Sequence, residues 1–447
     1  MTAFLAFSVC LQTSAQKKTV PVFDSVVFYD GYQYKNNPDS AKADGVLRHT
    51  TSLYAVCLSD EQLNAIGDSL DLEVRIKACC DDYDRIGNVN LAFVEKDSAK
   101  YDPAYHQRIE LGRFITPFMD KNDDPNTVPY SYDISYVSAI LRDRAIREKY
   151  NIWVEFEVFG VPYSARKEIE GCEGRSDVFQ GTLYFNTSTP AAGLVDTDVL
   201  VPIVMKKSEN NLNNYNAAAT DTLGQTTKTY TFEVPRDVAD AHVVLVTSNH
   251  GAAGDGEEYN RRWHYVYVDD QLCLTYMPGR TSCEPFREYN TEPNMIYTSV
   301  EQPDEYWQSF SNWCPGDVID NRIIHLGAMT AGTHKVRISV PEAEFDGGQG
   351  DIPVSMFFQG TTEGHLTAIR DVKKADPLVQ VAVNEGFLSL SSSEGIMGIE
   401  IYDLAGKKMR TADLTSTIST VGLPKGVYIV NAELTNNIVE SHKIVLK

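Results

Sequence analysis

Apolar and polar positions alternate with a period of two through long parts of this chain. The stretch Leu72-Glu73-Val74-Arg75-Ile76-Lys77 is the cleanest case, and Ile152-Trp153-Val154-Glu155-Phe156-Glu157-Val158-Phe159 repeats it. Such spacing places every second side chain on one face, the mark of a half-buried strand. Runs rich in β-branched and aromatic residues extend the pattern over 20–29, 242–247, 263–268 and 335–340. A helical period shows only over Ser135–Lys149, where the density of charge predicts a surface helix. Many strands separated by Gly, Asn and Asp turns predict an all-β protein made of antiparallel sandwiches.

The pattern is interrupted in three places. Residues 186–198 lose periodicity around Thr187-Ser188-Thr189-Pro190, 210–224 are turn-rich, and a further break runs over 360–377. A chain of 447 residues is too long for one core. The breaks divide it into 20–190, 198–362 and a shorter piece, 376–447. Ahead of these, the apolar run 2–11 ends in Gln12-Thr13-Ser14-Ala15 and predicts a signal peptide over 1–15. No other run approaches the roughly 18–20 apolar residues a bilayer helix needs.

Composition narrows the partners. The formal net charge is −22, and an acidic surface repels nucleic acid and anionic lipid. Export permits disulfides. Beyond Cys10 the chain carries Cys57, Cys79, Cys80, Cys172, Cys273, Cys283 and Cys314, an odd set that leaves at least one thiol outside the intrachain bridges. No zinc-type spacing is present, and no cofactor or metal is expected.

Three segments are polar where the strand pattern calls for apolar residues or a plain turn. The first is Cys79-Cys80-Asp81-Asp82-Tyr83-Asp84-Arg85, leading into Ile86-Gly87-Asn88-Val89. The second, 247–264, holds a glycine-rich loop and then Glu257-Glu258-Tyr259-Asn260-Arg261-Arg262-Trp263-His264. The third is Trp313-Cys314-Pro315-Gly316, approached by Phe310. Acids beside aromatics and arginines suit sugar faces and hydroxyls.

Together with Glu110-Leu111-Gly112-Arg113-Phe114-Ile115-Thr116-Pro117-Phe118, these segments resemble the peptide-N-glycosidase F family, bacterial amidases that release N-linked glycans. The resemblance implies two side-by-side antiparallel jelly-roll sandwiches with a site in the cleft between them. It implies Asp84 as principal acid/base, Glu258 as the group orienting water or the core sugar, and Glu157, which fits better than Glu155, as support. Arg85, Tyr259, Arg262, His250 and Trp313 would contact substrate, and Cys283 would pair with Cys314. Asp81 and Asp82 are expected to be ordinary loop acids. The implied substrates are N-glycosylated proteins or glycopeptides, taken by a monomer.

Three features depart from the family, one of them the absence of the cysteine pair that flanks its second glutamate. Cys79 and Cys80 are adjacent, so Cys80 must pair elsewhere, with Cys57 a candidate. Phe310 stands where the family carries an arginine. The last piece, with Ile399-Glu400-Ile401-Tyr402-Asp403-Leu404-Ala405-Gly406-Lys407 and Leu423-Pro424-Lys425-Gly426-Val427-Tyr428-Ile429-Val430, looks like the small β-sandwich sorting domain of type IX secretion. That would make it an address read by the secretion machinery, delivering the protein to the cell surface or medium. Two other readings remain open: a surface glycan-binding protein with altered catalysis, and a copper monooxygenase of similar fold. The second would need paired histidines, and the nine here are scattered, with His250 and His264 read as polar contacts.

Overall fold

The computed structural model describes residues 17–33, 45–104, 106–189, 191–196, 199–206, 210–213, 226–251, 257–292, 303, 310, 312–345, 350–362, 379–384, 386–392, 395–403, 407–413, 415–434 and 439–446. Residues 1–15, where a signal peptide is expected, part of the glycine-rich loop (252–256) and most of the 360–377 break lie outside the described residues. The remainder is all-β, with every paired strand antiparallel.

The first sandwich sets a four-stranded sheet against a six-stranded one. The four-stranded sheet runs in the order Lys17–Tyr29, Asp177–Ser188, Leu70–Ala78, Thr127–Asp133. The other runs Val318–Ile319, Gln107–Ile115, Ile86–Glu95, Tyr150–Val158, Leu53–Cys57, Val46–Arg48. In the alternating strand Leu70–Ala78, Leu72, Val74 and Ile76 are fully buried and enter the core with Leu91, Val154 and Phe156. The second sandwich has its own core, around Val243, Leu245, Val266, Val336, Ile338 and Phe358. A small third sandwich, 379–446, is built around Leu390, Ile399, Ile401 and Val430. Its Tyr402 meets the second sandwich at Trp263, ring centroids 6.3 Å apart.

Two expectations need correction. The single surface helix over Ser135–Lys149 is two, Ser135–Arg142 and Arg144–Lys149, because the Asp143 carboxylate caps the second by accepting from the Ile146 amide at 2.7 Å. All of the first except Ser135 is buried, so its charge density misled. The division at 190–198 is not clean either: Val318–Ile319 belongs to the second stretch yet pairs with Phe114 and Arg113 at the edge of the first sandwich's sheet.

The six-stranded sheet is polar on the face turned to the second sandwich. Register aligns Arg113, Asn88 and Glu157 in one row, and Glu110, Asn90 and Glu155 in the next. A bulge at Val89/Asn90 brings Glu110 and Arg113, three residues apart, onto the same face. Arg113 and Glu110 form a bidentate pair at 2.9 and 2.8 Å, both side chains wholly buried. Arg113 also donates across to the Ser248 hydroxyl at 2.8 Å and the Pro353 carbonyl at 3.0 Å. Glu155 is buried too, taking bonds from Asn90, Tyr101 and Arg108. The sandwiches therefore meet partly through a hydrogen-bonded charged layer, which fixes geometry, beside an apolar contact where Val244 and Phe357 join the first core.

Candidate functional site

A cavity of about 540 Å³ opens between the two sandwiches, lined from the first by Asp84, Arg85, Arg113, Glu157 and Phe159 and from the second by Lys206, His250, Glu258, Trp313 and Asp351.

The segment carrying Asp84 is pinned on both sides. Cys80 is bonded to Cys172, not to Cys57, which corrects the candidate pairing; Cys57, Cys79 and Cys273 are free. Asp81 and Asp82 lie in the loop between Leu70–Ala78 and Ile86–Glu95 but are not ordinary loop acids, because both are buried. Asp81 is buried and accepts from Arg85 Nε at 2.7 Å, Arg85 Nη2 at 3.0 Å, and the Tyr83 and Val161 amides. Asp82 is fully buried and takes the Ser164 hydroxyl. On the far side the Arg85 amide donates to Thr116 Oγ1 at 2.7 Å, and the Thr116 amide returns a bond to the Arg85 carbonyl at 2.8 Å. The motif around Asp84 and the Gly-Arg-Phe-Ile-Thr-Pro block are thus two sides of one clamp.

The Cys80–Cys172 bridge closes a loop across a sequence separation of 92 residues. Replacing both cysteines with alanine should cost about 2–5 kcal/mol. The reading is a lower melting temperature together with faster proteolysis near 80–85; an unchanged melt would show the clamp holds without the bridge.

Glu258 enters from the second sandwich. Its Oε2 accepts from the Gly251 amide at 2.8 Å, an N–H aimed there by a φ of 124° that favours glycine. Tyr259 also hydrogen-bonds the Glu258 carboxylate. Asn312 holds the backbone through the Glu258 carbonyl at 2.9 Å and the Asn260 carbonyl at 3.1 Å. Trp313 is buried, donates Nε1–H to the Asn249 carbonyl at 3.0 Å, and lies 6.0 Å from the His250 ring. The Cys283–Cys314 disulfide stands behind it, with Phe310 packed on Trp313 at 5.5 Å.

Burial pushes the Asp84 carboxyl up to about 8, and the Glu258 charge facing it pushes in the same direction. Burial also raises Glu258, against the bonds from Gly251 and Tyr259. Asp84 is therefore protonated at neutral pH, with Glu258 across the cavity raised in the same direction. Glu157 behaves oppositely. Burial alone would raise it, but Lys206 Nζ at 2.9 Å, with Arg108 and Arg113 behind, holds it below the ordinary glutamate range. Burial drives His250 down to about 3, so its ring is neutral; it bonds the Ser248 hydroxyl at 2.7 Å.

Of the eight site residues expected from sequence, Asp84, Arg85, Glu157, His250, Glu258 and Trp313 line the cavity. Tyr259 and Arg262 do not. Tyr259 bonds the Glu258 carboxylate and lies edge-on to Phe310 at 6.0 Å, and Arg262 turns to the buried Glu257, with Nη2 at 3.2 Å. Sequence reasoning missed Lys206, Asn211, Asp351 and the role of Arg113. Arg113 carried a signal, a charge set among Leu111, Gly112, Phe114 and Ile115. Lys206 and Asp351 sit just beyond strand ends, where charge is ordinary. Burial pushes Asp351 up to about 6, while Asn211 Nδ2 bonds its Oδ2 at 3.2 Å. The strands also set His242 opposite His325, a pairing invisible in sequence. Among the described residues no group of three or more His, Cys, Asp or Glu is arranged to hold a metal.

The sequence model described as Peptide-N-glycosidase F, N terminal, matches residues 19–173, and Peptide-N-glycosidase F, C terminal, matches 214–359, together about two thirds of the 447 residues. The chain belongs to the peptide-N-glycosidase F family. The solved structure of PNGF-II in space group P21 aligns with a TM-score of 0.55 at 19% identity, over 77% of this chain and 66% of that one. The chain therefore spans just under two thirds of that neighbour's length, and the likeness is one of fold, the paired jelly rolls of the peptide-N-glycosidase F family. A peptide-N(4)-(N-acetyl-beta-D-glucosaminyl) asparagine amidase aligns at TM-score 0.48 and 17% identity, over 78% of this chain and 97% of that one. PNGase F, described as a glycosylasparaginase from Flavobacterium meningosepticum, aligns at 0.47 and 17%, over 78% and 96%. No curated protein is matched by the sequence. Residues 384–447 match a secretion system C-terminal sorting domain, which marks the protein for type IX export to the cell surface or medium. No described helix is long and apolar enough to cross a membrane.

Proposed function

We propose that this family member hydrolyses the amide between asparagine and the innermost N-acetylglucosamine of N-linked glycans. The observation that carries the reading is the Asp84–Glu258 pair, one acid from each sandwich, lining one cavity, with Asp84 pushed up to about 8 by burial and by the Glu258 charge. Amide hydrolysis needs a base for water and an acid for the departing nitrogen. Glu258, ionised first, takes a proton from water as the oxygen attacks the side-chain carbonyl carbon. Asp84 gives its proton to the nitrogen as the C–N bond breaks. The peptide keeps an aspartate, and the glycan leaves as a glycosylamine. Glu157, ionised against Lys206, orients polar groups beside them. The division of the chain into jelly-roll domains 20–190 and 198–362 and a sorting domain 376–447 belongs to the same proposal.

The direct test is incubation with a denatured N-glycoprotein. The expected products are intact free glycan and peptide with Asn converted to Asp by mass. Binding without cleavage on every glycan class would favour the glycan-binding reading, for which Phe310, an uncharged ring packed on Trp313, is the supporting feature.

The pH profile follows from the assignment. Activity should rise as Glu258 loses its proton, at a pH above the ordinary glutamate value, and fall as Asp84 loses its own near 8. Asp351→Asn should leave the acid limb in place, whereas in Glu258→Gln that limb disappears with most of the rate. A profile flat to well above pH 9 would remove Asp84 from the role of acid.

A further inference from the structure

The cavity wall does not stop at its rim. Phe159, half-buried and lining the cavity, carries the Tyr32 ring edge-on at 5.4 Å. Tyr32 in turn stacks with Tyr163, centroids 6.2 Å apart and planes 18° from parallel. Tyr32 and Tyr163 are 65% and 47% exposed, among the most open large apolar side chains described. Nothing in the fold accounts for two parallel phenol rings left in water.

The strip is also fixed in place. A Cβ at Gly31 would come within 2.4 Å of Phe159 Cε2, so glycine there lets the ring lie against the backbone. The Gly31 amide donates to the Gly160 carbonyl at 2.9 Å, tying the segment that carries Tyr32 to the one that carries Tyr163. The Val161 amide donates to the same Asp81 that holds Arg85, so strip and Asp84 segment share one anchor. Arg166 lies over Tyr163 at 6.0 Å, and Asp30 reaches the Tyr163 hydroxyl.

We propose that Tyr32 and Tyr163 form a distal sugar-binding subsite, which takes the outer residues of the glycan whose first sugar sits at Asp84. Fixed aromatic faces with a polar rim suit pyranose rings, whose C–H faces stack on the phenols while hydroxyls find Arg166. Continuity through Phe159 argues for the glycan over the peptide, because the strip leads outward from the wall beside Glu157. The inference rests on the amidase reading of the cavity, but its test does not depend on turnover.

The test measures binding of free oligosaccharides to the full chain carrying Asp84→Asn, by titration calorimetry. Adding Tyr32→Ala and Tyr163→Ala should weaken a branched N-glycan about tenfold, while chitobiose is bound as before. Tyr32→Phe with Tyr163→Phe keeps the ring faces and should retain most of the affinity. Because both side chains are exposed, melting should be unchanged, and a large shift there would assign them a structural role instead. Equal losses for chitobiose, no loss for the branched glycan, or no binding of it would each overturn the subsite. Failure of the unsubstituted chain to cleave glycoprotein would overturn the amidase reading instead, so the two failures are distinct.

Discussion

Asp84→Asn should reduce the rate of amide cleavage about 10²–10⁴-fold while leaving the fold intact. The amide keeps the shape of the carboxyl but can neither give nor take a proton. The same substitution should raise stability in alkaline solution. The folded-state value of Asp84 lies well above its ordinary one, so folding takes up a proton and the native state loses ground as pH rises toward about 8. The asparagine does not titrate. Its melting advantage over the unsubstituted chain should therefore be small near pH 4, grow to pH 8, and level off beyond. Activity and stability moving in opposite directions at one residue would mark a site where repulsion is maintained for chemistry. Substantial turnover by the variant, or a melting difference independent of pH, would count against the assignment.

Arg113→Met should be the most destabilising of the single substitutions considered. It strips the wholly buried Glu110 of both its bonds to Arg113 and leaves Ser248 and the Pro353 carbonyl without their shared donor. Breaking one side of a buried pair costs about 3–5 kcal/mol. Removing both charges, as Arg113→Met with Glu110→Gln, should recover part of that loss, since no bare charge remains. Denaturant melts of the two variants decide the matter. If the double variant is no better than the single one, the loss comes from the bridge between sandwiches rather than from an abandoned carboxylate.

The strands were legible because their signal is periodic and local. Leu72, Val74 and Ile76 point inward as their alternation requires, and the same holds for Val154 and Phe156. The helix over 135–149 was misjudged because a buried face and an interrupting cap are tertiary facts. At the site, Asp84, Arg85 and Glu157 from the first sandwich and His250, Glu258 and Trp313 from the second line one cavity, while Tyr259 and Arg262 do not. What the sequence hid was the work of neighbours. Asp81 reads as a surface acid until Arg85 and two amides are placed around it. Cys80 finds Cys172 only once the fold brings them together. Lys206, which holds Glu157 ionised, sits across the interface in a part of the chain with no pattern of its own.

The short strand Val318–Ile319 bears on how the protein can be cut. It covers the outer hydrogen-bonding edge of Gln107–Ile115 at Phe114 and Arg113. Expressed alone, the first sandwich would present that edge bare, next to a row of charges made for another surface. An open edge of this kind recruits strands from neighbouring molecules. The isolated half should therefore self-associate, and co-expression with 198–362 should return it to solution as a one-to-one complex.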